Sequence, residues 1–461
     1  MNDAELLSLD LREAADAIRV GQVNPRDLTE AYLRRIGETE PRINAYVTVD
    51  AEGARADAKR AAEERDAGQY RGPLHGIPVG IKDMFDTAGL RTTYGSARYH
   101  DHVPTADALV VGRLRSAGAV ILGKHATHEF AWGGRTDNPY YGPTRNPHDT
   151  SRIPGGSSGG GAASIAARSS LLAVGTDTAG SVRIPAALSG CVGFKPARDW
   201  IAMTGAFPLS PALDHVGVLT RTTADAAITV SAISDLPCVV PAERRPLQVG
   251  LLAGESADVV DNAVSTGMAN AVMVLEKSGF EFKHIDVPAV SERAEALLTL
   301  VKADAEMFHR SAYQTASELY GRDLRNLLDG PQVTADQREY ARAVVADAEE
   351  VLDRALSDVD VVMCATVPII APQIGHMEIG LGDRRWPIEF LLTRLTSIAN
   401  AMGVPAISVP APTESPLPVG AQFIARRDRL PELMAAASAV IERDQINGPT
   451  SASPNRQEPD P

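Results

Sequence analysis

Cysteine is nearly absent from this chain of 461 residues. The three present, Cys191, Cys238 and Cys364, are too few and too scattered for a disulfide framework and match no zinc-ligand spacing. They are expected as buried, reduced thiols, as in a cytoplasmic protein. Long apolar runs are missing too. The best, VVMCATVPIIAP (Val361 to Pro372), falls short of the ~18 residues of a spanning helix and contains two prolines, so no membrane partner is expected. The N-terminal MNDAELLSLDLREAADA lacks the basic and apolar regions of a secretory signal. Positive charge is outweighed: 45 Lys and Arg face 59 Asp and Glu, a net −14, which argues against a general affinity for nucleic acid. Neither an internal repeat nor a clear linker divides the chain, so one large domain is expected. The polar, proline-rich residues 445–461 are expected to be a disordered tail.

What is present starts with helices. Over residues 1–70, Asp10 and Glu13 have capping-box spacing, and Leu11, Ala14, Ala15 and Ile18 share one helical face up to Gly21. Asn24 and Pro25 open a second helix through Ile36, and Ala51–Gly68 reads as a third, mostly polar one. These helices are expected to pack on a core formed by residues 71–444. There GIPVGIKD, AVILG and SLLAVGTD read as strands, and DALVVGRLRSAG reads as a helix between them. Longer helices are expected around Ala257–Ser278, Val290–Leu319 and Ala335–Leu356, with late strands in VVMCATVPIIAP and VPAISVPAP. The fold class is therefore α/β: a single large domain whose mixed central β-sheet is covered by helices on both sides.

Three short stretches carry candidate chemistry. RIPGGSSGGGAASIAA (Arg152 to Ala167) sets Ser157 and Ser158 among five glycines, directly before an alanine-rich helix. Glycine at that density marks a backbone path that other residues cannot follow. LLAVGTDTAGSVRIPAALSG (Leu171 to Gly190) runs a strand into a tight turn bearing Ser181, with a helix starting near Ile184. Backbone N–H groups left without helical partners in such a turn can stabilise an oxyanion beside a nucleophile, although an ordinary strand-to-helix loop reads the same way. In GPLHGIPVGIKDMF, Ile77, Val79 and Ile81 face one side of a strand, leaving Lys82 on the face of Gly80. Lys82 is then either an edge residue reaching water or a buried amine whose lowered pKa makes it a general base.

Together these stretches resemble the amidase signature family of serine hydrolases. The likeness spans nearly the whole chain, in the family's order: GPLHGIPVGIKD, DALVVGRLRSAGAVILGK with EFAWG, YGPTRNPHDTSRIPGGSSGGGAA, GTDTAGSVRIPAALSGCVGFKP, LDHVGVLTRT and SIANAMGVPAISVPAP…PVGAQFIA. The resemblance implies the amidase signature fold and a catalytic triad of Lys82, Ser157 and Ser181. Ser181 would be the nucleophile, Ser157 a bridge preceded by a cis peptide bond, and Lys82 the terminal base. The N–H groups of Thr178, Ala179, Gly180 and Ser181 would form the oxyanion hole. Ser158 would support by hydrogen bonding, Asp177 and Arg183 would pair to hold the turn, and Trp132, in HEFAWGGRTDN, would line the acyl pocket. No cofactor and no metal are implied. The implied substrate is a small carboxamide, anilide or carbamate, cleaved by a monomer or homodimer. Carbamate or ester hydrolysis, an amidotransferase-like subunit and a catalytically silent scaffold are the alternatives.

Three positions depart from the commoner family pattern. Ala179 stands where many members have glycine, Gly161 where many have serine, and Ile184 where the glutamine-using tRNA amidotransferase subunit has glutamine. Two rival motifs also need deciding. GGSSG fits a G-x-S-x-G nucleophile elbow, which needs a preceding strand and a downstream acid and histidine; Asp214 with His215, and His284, His309 and His376, are available. GAVILGKH comes close to a phosphate-binding loop, but its interior is apolar and it ends in His125 rather than Ser or Thr.

Overall fold

The computed structural model describes residues 1–236, 246–254, 259–287 and 290–441. The expected tail and Cys238 lie outside the described residues. Cys191 and Cys364 are buried free thiols.

The core is one mixed sheet of eleven strands: β1 (Tyr46–Val49), β2 (Pro78–Lys82), β3 (Val120–His125), β4 (Leu172–Asp177), β5 (Val192–Lys195), β6 (His215–Thr220), β7 (Gln248–Ala253), β8 (Glu281–Asp286), β9 (Val361–Ala365), β10 (Ala406–Pro410) and β11 (Gly420–Ile424). Their spatial order is β1-β3-β2-β4-β6-β5-β10-β11-β9-β7-β8. β3, β2 and β4 run parallel to one another, as do β9, β7 and β8, while the remaining neighbours are antiparallel. The strands nearest the middle, β2 to β6 and β9 to β11, are almost wholly buried, which explains why β3, β9 and β10 read as apolar runs.

Helices flank this sheet. α1 (Asp3–Ser8) and α2 (Leu11–Arg19) precede α3 (Pro25–Ile43) and α4 (Ala51–Asp66), and the reciprocal Asp10–Glu13 capping box forms as its spacing predicts. α3 runs past the expected end at Ile36. Ile36 and Ile43 are both buried on it, and the helix stops where Asn44 adopts the left-handed conformation, φ 54°. β1 was not expected among the N-terminal helices. It spans only four residues and forms the sheet's edge against β3. Further along lie α5 (Leu109–Ser116), α6 (Gly159–Ala166), α7 (Arg183–Ser189), α8 (Thr223–Ile233) and α9 (Asn262–Lys277). They are followed by α10 (Val290–Thr315), α11 (Arg322–Asp329), α12 (Ala335–Asp358), α13 (Ile388–Thr393) and α14 (Leu430–Val440). No helix among the described residues is long and apolar enough to cross a membrane.

Candidate active site

In sheets with parallel strands, sites gather at the carboxyl ends of the strands. Here Lys82 ends β2 and Asp177 ends β4 beside it, with Ser181 in the turn that follows. Lys82 is buried, 1 % exposed, not an edge residue. Its Nζ lies 2.7 Å from Ser157 Oγ and 2.7 Å from Thr176 Oγ1. Burial pulls its ammonium down to about 7, with the carboxylates of Asp177 and Asp214 pulling weakly the other way. An amine that is half deprotonated near neutrality can accept a proton from the hydroxyl it touches.

Ser157 follows a cis bond from Gly156, as the resemblance implies, and is fully buried. The glycines after it allow close backbone contact. A side chain at Gly160 would begin 2.6 Å from Ala126 N, in the loop after β3. Ser158 N–H donates to Ser181 O at 3.1 Å and Ser158 Oγ donates to Thr176 O at 3.1 Å, so Ser158 joins the glycine-rich loop to the Ser181 turn. Ser181 differs from Ser157 in facing space: it lines a cavity of about 540 Å³.

The turn is held from behind. Arg183 Nη2 lies 2.8 Å from Asp177 Oδ1 and Nε 3.1 Å from Oδ2, both residues fully buried. Asn400 Oδ1 and Gln422 Oε1 accept from the same guanidinium at 2.6 Å each, and Asn400 Nδ2 donates to Asp177 Oδ1 at 2.9 Å. Burial alone would raise the Asp177 pKa, but the Arg183 charge and its hydrogen bonds overcome this and hold it well below the usual carboxylate range. The arrangement is a framework for the turn, as expected of this pair. Asn400 and Gln422 were not expected. Each is the lone amide side chain in a mostly apolar stretch, SIANAMGVP and PVGAQFIA, and that isolation was the available signal.

The expected set of oxyanion donors needs one correction. Gly180 N–H donates to Asp177 Oδ1 at 2.9 Å and is therefore committed to the framework. The N–H groups of Thr178, Ala179 and Ser181 have no acceptor among the described residues. Gly180 is required for another reason: its φ is +121°, and a Cβ there would run into Thr396 Oγ1. Ala179 has no positive φ, so the usual glycine is dispensable there, and its methyl faces the cavity. At Gly161 a Cβ would lie 3.0 Å from Leu219 Cδ1 and 3.2 Å from Ala173 Cβ, which leaves little room for serine.

Trp132 lines the cavity, with Ile184 and Leu209 giving it an apolar lining near Ser181. α10 forms another wall through Glu295, Leu298, Thr299 and Lys302, the helical spacing of one face. Arg135, 2 % exposed, reaches Glu389 Oε1 on α13 at 2.7 Å, Asp323 on α11 and Met377 Sδ at 2.7 Å, tying these segments together. The long helix expected around Val290–Leu319 lines this cavity, whereas Arg135, Asp323 and Met377 were not singled out from sequence.

Both rival motifs fail on geometry. Ser157 follows no strand among the described residues, and its side chain meets Lys82 rather than a histidine. His215 Nδ1 is 2.6 Å from Leu213 O, and the Asp214 carboxylate accepts from Thr178, Leu209 and Ser210. GAVILGKH forms β3 rather than a loop, and Lys124 is buried with Thr87 Oγ1 at 3.0 Å and Thr92 Oγ1 at 2.8 Å.

Residues 27–430 match the amidase family, and the chain belongs to it. It is 33 % identical to a glutamyl-tRNA(Gln) amidotransferase subunit of Carboxydothermus hydrogenoformans, covering 96 % of this chain and 99 % of that one. A crystal structure of an amidase superposes with a TM-score of 0.88 at 32 % identity, covering 94 % of this chain and 99 % of that one. The corresponding amidotransferase subunit of Thermotoga maritima superposes at 0.74 with 27 % identity, covering 95 % of this chain and 94 % of that one.

Proposed function

We propose that this chain is an amide hydrolase working through an acyl-enzyme, with Ser181 as nucleophile, Ser157 as bridge and Lys82 as base. Neutral Lys82 takes the Ser157 proton while Ser157 takes that of Ser181, whose Oγ bonds to the substrate carbonyl carbon. The N–H groups of Thr178, Ala179 and Ser181 receive the oxyanion. As the C–N bond breaks, Ser157 returns a proton to the departing nitrogen. Water then adds to the acyl ester by the same proton path, releasing the acid and Ser181. The observation carrying this reading is the 2.7 Å contact of a buried Lys82 with Ser157, placed behind a cavity that Ser181 lines.

The substrate we infer is a small amide, anilide or carbamate with an apolar or aromatic group against Trp132 and Ile184, needing no cofactor. A second reading, the amidotransferase subunit, is favoured by the 33 % identity to such subunits over nearly the full length. Against it, Ile184 puts an apolar side chain in the cavity where the resemblance leads one to expect glutamine in that subunit. Assay of the purified protein on glutamine, aliphatic amides, anilides and aryl carbamates separates the two. Turnover of aromatic amides without glutamine hydrolysis is expected, and glutamine as the sole substrate would replace the first reading with the second. Fluorophosphonate labelling located by peptide mass at Ser181 tests the nucleophile.

A further inference from the structure

One buried carboxylate close to the site is used neither by the proposed triad nor by the Asp177 framework. Asp214 is 7 % exposed and immediately precedes β6, which pairs antiparallel with β4 so that His215 faces Asp177. The next step along that register sets Asp214 opposite Thr178. Asp214 Oδ1 accepts from Thr178 Oγ1 at 2.6 Å, and Oδ2 accepts from Leu209 N at 2.9 Å and Ser210 N at 3.1 Å. Thr178 and Leu209 both line the cavity containing Ser181. A single carboxylate thus spans two parts of the cavity lining, one of them carrying the proposed oxyanion donors.

We propose that Asp214 is a positioning residue, fixing the Thr178 end of the oxyanion turn against the Leu209–Ser210 wall so that the free N–H groups meet the reacting carbonyl oxygen. The inference rests on Ser181 being the nucleophile. Three hydrogen bonds from fixed donors allow the carboxylate little rotation. The Thr178 hydroxyl, anchored there, cannot turn its own backbone away from the cavity. Ser210 Oγ donates to Asp304 Oδ2 at 2.6 Å, which extends the brace to α10. Burial raises the Asp214 carboxyl to about 6, against the hydrogen bonds from Thr178, Leu209 and Ser210 and the charge of Lys82 on β2, and Ser210 links it to Asp304 on α10. The negative charge of Asp214 favours the protonated form of Lys82, so the brace also acts on the base.

The test uses the full chain, an aryl amide that it turns over, and the variants Thr178→Val, Thr178→Ser, Asp214→Asn and Ser181→Ala. A misplaced oxyanion turn lowers kcat with little change in KM, so Thr178→Val should lose at least ~10-fold in kcat, while Thr178→Ser, which keeps the hydroxyl, should recover most of that loss. Asp214→Asn should lose kcat and also move the acid limb of kcat/KM to lower pH, because Lys82 loses a neighbouring negative charge; Thr178→Val should leave that limb in place. Equal kcat for Thr178→Val and Thr178→Ser would overturn the inference, as would Asp214→Asn with the kcat of the parent. Fluorophosphonate labelling keeps the two claims apart. If Ser181→Ala still turns over substrate and is still labelled, the nucleophile reading fails. If Ser181→Ala is inert but the Thr178 pair shows no difference, only the role of Asp214 fails.

Discussion

At the scale of single residues, the proposed reaction depends on how far burial lowers one ammonium. With Lys82 drawn to about 7, kcat/KM should rise with pH up to that value and level off above it, since only the neutral amine accepts a proton. Lys82→Met should lower kcat/KM at pH 7.5 by at least ~10² and abolish that limb; a parent-like profile from the methionine variant would exclude Lys82 as the base. The sign follows for stability as well. The native pKa lies below the unfolded one, so between the two the unfolded chain binds more protons. Stability should therefore rise with pH from about 7 toward ~10.4, a trend that melting temperatures of the parent and Lys82→Met will reveal by their difference. Much of this was legible in the sequence: alternation placed Lys82 on the face of Gly80, and the resemblance singled out both serines. Burial decided between edge and interior, and a strand pattern cannot report what lies above its face. Thr176, the second hydroxyl at Lys82, escaped notice because a threonine inside a strand is ordinary.

At the scale of elements, the turn between β4 and α7 depends on a buried ion pair. Arg183→Met would leave Asp177 in the interior without its counter-charge, so a loss of about 3–5 kcal/mol is expected by urea unfolding at pH 7. Arg183→Lys should not restore it, because one ammonium cannot serve Asp177, Asn400 and Gln422 in the directions that the planar guanidinium does. A methionine variant as stable as the parent would contradict this. The Asp177 pKa is depressed in the fold, so the stabilisation it contributes is complete above pH ~4 and is lost as pH falls through the native value. The capping box of α2 and the buried strand β3 could be read directly, because their signals are local. β1 could not, since four residues between helices show no periodicity. Nor could Asn400 and Gln422 as further partners of Arg183, since they lie more than two hundred positions away.

At the scale of the whole molecule, the N-terminal helices pack on the sheet, α3 against β2 and α4 against β3, and none of their residues lines the cavity. Leu6 on α1 is buried, and Leu7 O accepts from Arg221 Nη1 at 2.8 Å. Removing residues 1–9 should lower the melting temperature by at least ~2 °C while kcat per folded molecule stays within about two-fold. A truncated protein that melts normally but loses kcat would assign these helices to the site instead. That the sheet would be mixed and helix-covered was legible, because residues 71–195 alternate clearly between strand and helix. Its breadth was not. β5, β6, β7, β8 and β11 were not read as strands, and where the sheet's parallel direction breaks depends on pairing between distant segments.

The α10 wall has a consequence for how such a protein diversifies. Glu295, Leu298, Thr299 and Lys302 meet the substrate space from one helix face, and none of them hydrogen-bonds to Lys82, Ser157 or Ser181. On the proposed mechanism, exchanging these four codons would remould recognition while the relay of Lys82, Ser157 and Ser181 is inherited unchanged.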